Sequence, residues 1–331
     1  MQRYAPFVAF FSTLFLLEMV LRTTFFYSVK DIPNERSLHV KPVLRVGGLA
    51  IMLGVVLGCA MQERHVIWLV LPPTLLLCAV SFIDDWRGLS AACRLLTHLV
   101  AACMFVFFSG FLAQGFLLGV LLILAIIWMT NVFNFMDGAD GLAGGMALIG
   151  FSTYGVVGLI HDDIPLALLN FTVAGASFAF LFYNFSPARV FMGDAGSIPL
   201  GFLAGVIGAI GWSRGHWPFW LPILVFSPFI VDASATLLNR VIRGDKITQA
   251  HKEHYYQRLI RMGWGHRKTA IVEYVFMVGA GCSAVWGATF STWWQLGLLV
   301  VWIAVYLVAL SIIDVEWHNY SLNNAATTKQ V

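Results

Sequence analysis

Residues 116–129 carry no charge at all, and apolar runs of this kind recur from one end of the chain to the other. A backbone that crosses a bilayer finds no water for its N–H and C=O groups. Such a chain is confined to membrane helices or a closed barrel. Barrel strands alternate in polarity, and these runs do not. They approach the roughly twenty residues that a helix needs to cross. Only 11% of the 331 residues are charged and 59% are hydrophobic, whereas about a quarter are charged in a soluble domain. The expected fold is an all-α, polytopic bundle of transmembrane helices. Eleven spans are expected, near 5–27, 46–61, 66–83, 95–109, 112–130, 141–160, 165–183, 198–212, 217–237, 270–288 and 293–313. Ten is the alternative, because only a turn at Gly110 and Phe111 separates the fourth from the fifth. The first run is too long for a signal core and reads as a retained span. The five cysteines are scattered, with neither a disulfide framework nor a metal motif.

The loops between spans fall into two unlike sets. One set holds sixteen of the twenty Lys and Arg residues, the other three. By the positive-inside rule the basic set is cytoplasmic, which places the N-terminus outside and the C-terminus inside. The outer loops are mostly short. The inner ones are long and rich in Asp, Asn, His, Arg and Gly, so chemistry is expected at the cytoplasmic membrane face. No segment is large enough to form a separate soluble domain. Residues 1–331 read as one integral membrane domain, ending in a polar cytoplasmic tail at 314–331. Nothing calls for a nucleic-acid partner.

Five inner loops carry the chemistry. The stretch 131–142, NVFNFMDGADGL, sets Asn131, Asn134, Asp137 and Asp140 at the edge of a span. Acids there are costly and need a reason. Asp84 and Asp85 end the third span. They read either as a solvated pair in the headgroup region or as repelling acids, one of which readily takes a proton or a cation. Asp194 stands between Gly193 and Gly196 ahead of a span. It reads as a helix cap or as a ligand for Mg²⁺ bridging to phosphate, with Gly193 allowing close approach of backbone to a phosphate. His251 and His254 are spaced to share one helix face, suited to anions more than to zinc, in a basic loop with Arg258. The loop 28–45 adds Arg36 and Lys41, groups suited to phosphate. Acids that gather Mg²⁺ and basic groups that hold phosphate together suit a diphosphate substrate. The membrane face adds a lipid as the second.

These pieces resemble the polyprenyl-phosphate N-acetylhexosamine-1-phosphate transferase family, glycosyl transferase family 4. The matching segments are DIPNERSLH at 31–39, DDWRGLS at 84–90, NVFNFMDGADGLAGG at 131–145, FMGDAGS at 191–197 and HKEHYYQRL at 251–259. The resemblance implies transfer of a HexNAc-1-phosphate from a UDP-sugar to undecaprenyl phosphate. UMP is released with Mg²⁺ (Mn²⁺ as the alternative ion) at the inner membrane of a bacterium. It implies Asp194 and Asn134 as metal ligands and Asp84 and Asp85 as the acids that handle the lipid phosphate. Asp140, Asn184 and Phe191 fall in the region of the uridine pocket, and His251, His254 and Arg258 near the diphosphate and sugar. Asp137 belongs either to the active centre or to the fold of its loop. Family relatives suggest a homodimer. The last loop lacks the histidine run of the lipid I enzymes and is more similar to the O-antigen and surface-polysaccharide initiators. The sugar stays open, with Lys246, Gln249 and Trp264 placed to choose it. The competing class is a membrane transporter or flippase for a lipid-linked or phosphate-bearing substrate, whose charges should instead lie near mid-span.

Overall fold

The apolar runs are helices. The computed structural model describes residues 1–23, 30–31, 42–62, 64–246 and 251–328. The chain opens with α1 (Ala5–Arg22), two short strands β1 (Lys30–Asp31) and β2 (Val43–Arg45), and α2 (Gly47–Cys59). Next come α3 (Arg64–Arg87), α4 (Ala91–Phe108), the single turn α5 (Phe111–Gln114) and α6 (Phe116–Met136). A hairpin of α7 (Leu142–Ile160) and α8 (Ile164–Asn184) leads to β3 (Val190–Phe191) and α9 (Asp194–Ser213). The last part holds α10 (Trp220–Val225), α11 (Ser227–Ile242), α12 (Tyr255–Leu259), α13 (Gly265–Gly287) and α14 (Thr292–Thr328).

Among the described residues, nine helices are long and apolar enough to cross a membrane. The chain is an all-α polytopic membrane protein with one small sheet. Two of the eleven expected spans fall short of that measure, for different reasons. Helix α2 has 13 residues, or about 20 Å, against a hydrocarbon core of about 30 Å. The stretch 217–237 is broken at Phe226 into α10 and α11. Pro228 sits in the first turn of α11, where its missing N–H leaves no acceptor unanswered.

Helix α9 runs through the centre of the bundle and is buried along nearly its whole length. It packs on α3, α6 and α2. Helices α1, α2 and α8 form a neighbouring layer. Helix α14 lies at the rim with most of its apolar side chains outward, the arrangement expected of a helix facing lipid.

The sheet was not expected. Strand β2 pairs antiparallel with β1 and parallel with β3, so that Leu44 lies opposite Val190 and Arg45 opposite Phe191. Strands of two and three residues carry no readable alternation. Their effect is to bring Arg45 to the start of α9. Just beyond, the N–H of Gly48 donates to the carbonyl of Met192 at 2.8 Å. The backbones of Gly48 and Gly196 then meet: a Cβ on Gly48 would lie 2.2 Å from the Gly196 nitrogen.

The C-terminal region has more regular structure than its polar sequence announces. Instead of leaving the last span as a separate tail, the chain stays helical through Thr328. At 37 residues, α14 is about 55 Å long. Some 25 Å of that exceeds what the hydrocarbon core requires.

Gly48→Val should push α2 off α9, because its obstacle is backbone that no rotamer change can clear. A loss of about 1–3 kcal/mol is expected, read as a lower melting temperature of the detergent-purified protein. An unchanged melt would refute the close approach.

Candidate functional site

Three helix ends meet at one end of the bundle: the last turn of α3, the end of α6 and the start of α9. The Asp85 side chain is 1% exposed. Its carboxylate accepts from the backbone N–H of Asp194 at 3.3 Å and of Ala195 at 3.1 Å. These first N–H groups of α9 have no partner within their own helix, and an anion at that end also meets the helix dipole favourably. Arg45 pairs with the same carboxylate at 3.5 Å.

Asp84 faces elsewhere, since consecutive helical residues point about 100° apart. It accepts from the Leu89 N–H and from Arg94 at 3.4 Å. The expected repulsion within this pair is therefore relieved by giving each acid its own donors. The same Arg94 nitrogen lies 3.8 Å from Asp194. The other Asp194 oxygen accepts from the Asn134 amide at 3.0 Å, and that amide also reaches Ser197 at 3.2 Å.

Asp137 caps the C-terminal end of α6 and accepts from the Gly193 N–H. Burial holds its carboxyl well above the usual carboxylate range. Arg45 opposes this, while Asp194 and Asp85 add to it. Gly193 has φ of 71°, and a Cβ there would lie 2.6 Å from the Arg45 side chain and 2.8 Å from Asp85. Only glycine fits between the two. Four carboxylates from three separate motifs thus converge, with Arg45 and Arg94 set among them.

The loop after Asp137 is fastened from beneath. The buried Asn184 accepts from the Gly141 N–H at 2.9 Å and donates to the Val190 carbonyl at 2.9 Å. Both ends of its amide are thereby tied to backbone. Asp140 accepts from the Ala188 N–H at 3.1 Å, and its own N–H donates to His266 Nδ1 at 3.1 Å. Phe191 lies in β3, opposite Arg45.

His251 and His254 do not share a helix face. His254 is the N-cap of α12 and His251 precedes it in irregular backbone. Their rings still lie 5.0 Å apart. His254 is buried, with Nδ1 3.0 Å from Asp232, and its ring stacks on Phe135. His251 is held down to about 4 by burial, by its neighbour His254 and by Arg240. Near neutrality it offers a hydrogen bond rather than a charge. Arg258 is buried and donates to the Glu253 carbonyl at 2.8 Å and to Asp314 at 2.6 Å. Arg36, Lys41 and Gln249 lie outside the described residues.

Sequence reasoning passed over Asp232. This buried carboxylate on α11 accepts from the N–H groups of Tyr255 and Tyr256 at 3.0 and 2.9 Å, and from Thr236 at 3.1 Å, besides its contact with His254. It anchors the start of α12. A lone acid within an expected span was the signal that would have found it. Arg94 had counted only toward topology, and Arg45 besides that only as one of the phosphate-suited groups of the 28–45 loop.

Among the described residues no three His, Cys, Asp or Glu side chains converge as metal ligands do. The donor chemistry nonetheless fits a hard cation. Asp194 and Asp137 offer carboxylate oxygens and Asn134 an amide, donors of the kind that Mg²⁺ takes, while both oxygens of Asp85 are committed to the start of α9. For that role the Asn134 amide must present its oxygen rather than the nitrogen that now faces Asp194.

The sequence has known relatives. The family model of glycosyl transferase family 4 matches residues 67–211. The chain is 30% identical to a probable undecaprenyl-phosphate N-acetylglucosaminyl 1-phosphate transferase of Bacillus subtilis, over 93% of this chain and 88% of that one. It is 28% identical to the decaprenyl-phosphate N-acetylglucosaminephosphotransferase of Mycolicibacterium smegmatis, over 82% and 78%. It is 25% identical to the phospho-N-acetylmuramoyl-pentapeptide-transferase of Enterococcus hirae, over 73% and 83%.

Two predictions follow from the geometry. Asp232→Ala strips an acceptor from four donors and should cost about 3 kcal/mol or more. Faster amide exchange across 251–258 would report it, and wild-type exchange there would refute the anchoring role. The second concerns acid. An unfolded histidine takes up a proton below about 6.5, but His251 in the fold resists until about 4. The unfolded chain binds more protons across that window, so stability must fall as the pH drops through it. The melting temperature should decline from pH 6.5 toward 4, and His251→Gln should flatten part of that decline. Equal slopes in both proteins would count against it.

Proposed function

The chain belongs to the polyprenyl-phosphate N-acetylhexosamine-1-phosphate transferase family, and we propose that it transfers a HexNAc-1-phosphate from a UDP-sugar to undecaprenyl phosphate. UMP leaves, and the product begins a surface polysaccharide, O-antigen among the candidates. The reaction is placed at the cytoplasmic face of a bacterial inner membrane, with the N-terminus outside, the C-terminus inside and 1–331 acting as one domain. The observation that carries this reading is the convergence of Asp84, Asp85, Asp137 and Asp194 with Arg45 and Arg94 at a single end of the bundle. Charges of a transporter would lie along the spans; these lie at helix ends.

In this reading the lipid phosphate oxygen attacks the β-phosphate of the donor in line and displaces UMP. A phosphate monoester is already mostly ionised at neutral pH, its second pKa being about 6. The protein therefore needs to orient the nucleophile more than to deprotonate it. The partly exposed Arg94, held by the buried Asp84, serves that purpose, with Asp85 fixing the start of α9 behind them. Asp194 and Asn134 would hold Mg²⁺ (or Mn²⁺), with Asp137 beside them. The ion, when bound, neutralises charge on the diphosphate. Asp140, Phe191 and the Asn184-tied loop form the floor for the uridine. Gly193 admits the phosphate closely. His251 and His254 face the diphosphate and sugar side, supported by Arg258, with Arg36 and Lys41 as further phosphate contacts. UDP-GlcNAc is the proposed donor, because the Bacillus and Mycolicibacterium relatives are both named for that sugar.

The test is UMP release by purified protein given undecaprenyl phosphate and a panel of UDP-sugars. UDP-GlcNAc should be turned over fastest, chelation should stop turnover and Mg²⁺ should restore it. Asp194→Asn should lower turnover about a hundredfold or more while the protein still folds. Near-normal turnover by that variant would remove Asp194 from the metal site. Silence with every UDP-sugar would overturn the transferase reading.

A further inference from the structure

The later turns of α14 pack against the 255–261 segment. Asp314 divides its two oxygens between Arg258 and Tyr255. One accepts from Arg258 at 2.6 Å, the other from the Tyr255 hydroxyl at 3.1 Å. One turn on, Trp317 is half-buried on an otherwise exposed stretch, with Arg261 4.7 Å and Arg258 5.9 Å from its ring. Arg258 also lies over the Tyr255 ring at 4.6 Å. A carboxylate, two guanidiniums and two aromatic rings thus lock the 314–317 turn of α14 to α12 and the residues that follow it.

What α12 carries explains why this matters. The Tyr256 hydroxyl donates to the Phe135 carbonyl at 3.1 Å, and the His254 ring stacks on Phe135. A Cβ on Gly138 would collide with the Tyr256 hydroxyl. The 254–256 segment therefore lies directly on residues 135–138, which present Asn134 and Asp137 to the acid cluster. Asp232 holds this segment from α11, and Asp314 holds it from α14. The two anchors differ in exposure. Asp232 is buried, whereas the Asp314 side chain is 48% exposed and the Arg258 side chain that it holds only 6% exposed, so replacing Asp314 by Ala unpairs a buried guanidinium while Glu keeps its charge partner.

We propose that Asp314 and Trp317 are positioning residues for the donor side of the site, holding Arg258 and α12 so that His251 and His254 meet the diphosphate of the nucleotide sugar. Arg258 then acts through the loop it braces: its guanidinium is committed to Asp314, to the Glu253 carbonyl and to the ring of Tyr255. This rests on the transferase reading for what the loop meets, although the clasp itself is a matter of structure. Charge and geometry are both used. A bidentate acceptor in this position orders two donors at once, and the rings of Trp317 and Tyr255 limit where the guanidinium can go.

The experiment varies UDP-sugar and polyprenyl phosphate separately with full-length protein, and follows amide exchange over 251–259 in the same samples. Asp314→Ala should raise the KM for UDP-sugar about tenfold, with kcat within about twofold and the lipid KM unchanged. Exchange over 251–259 should rise. Asp314→Glu should recover most of the donor KM, and Trp317→Leu should shift it in the same direction by less. Wild-type donor KM and exchange in Asp314→Ala would overturn the proposal. So would a parallel fall in kcat and both affinities that Asp314→Glu fails to rescue, which marks a general loss of fold. Should wild type itself release no UMP, the transferase reading fails, and the exchange measurement alone decides whether the clasp exists. If Asp314→Ala cannot be purified, Trp317→Leu carries the same comparison.

Discussion

The contact on which the site depends is the one between Asp85 and the first N–H groups of α9. Each side of it lacks an alternative. The N–H groups at a helix start have no acceptor within the helix, and a carboxylate at the end of a membrane helix has little water around it. Leaving either unanswered costs several kcal/mol. Because α9 passes through the centre of the bundle, the contact also sets how far α3 lies along it. That register places Asp84 and Arg94 on one side of Asp194 and Asn134 on the other. Arg45, delivered by a strand of three residues, completes the charge balance.

The remaining loops are held by the same device at lower stakes. Asn184 ties the 137–142 loop to β3 with both ends of one amide. Asp232 and Asp314 grip α12 from two helices. In each case one polar side chain with several lone pairs or protons satisfies backbone or side-chain groups from distant parts of the chain. Near a membrane face this is economical, since an unpaired group there is dearer than in water. It also makes the loops rigid where a substrate with several charges has to be met.

Much of the candidate site was legible in the sequence. Asp84, Asp85, Asn134, Asp137 and Asp194 stand out because polar groups beside apolar runs are expensive and rarely idle, and the motifs around them carry the family resemblance. Their meeting point follows from topology: alternate span ends lie on one face. Other features were hidden for physical reasons. The spacing of His251 and His254 suggests a shared helix face, but His254 is a cap, and cap geometry depends on Asp232, far off in sequence. The sheet is too short to leave a pattern. Helix α14 reads as a span with a polar tail, yet the tail stays helical where Arg258, Arg261 and Tyr255 give Asp314 and Trp317 something to bind. Asn184 read as a substrate contact, and only its two backbone partners reveal a fastening role.

Hydropathy alone determined that this chain is a helical membrane protein, since no other structure satisfies so many backbone groups away from water. The motifs alone determined its family, because they name chemistry that is costly to keep by accident. Which carboxylate answers which donor was decided by tertiary structure. Asp84 and Asp85 are neighbours in sequence with the same chemistry, and nothing local distinguishes them. Only the packing of α3 against α9 sets one against the first N–H groups of α9 and the other, also buried, beside Arg94. The same holds for Arg258, whose charge is written in the sequence while its partner, Asp314, lies more than fifty residues away.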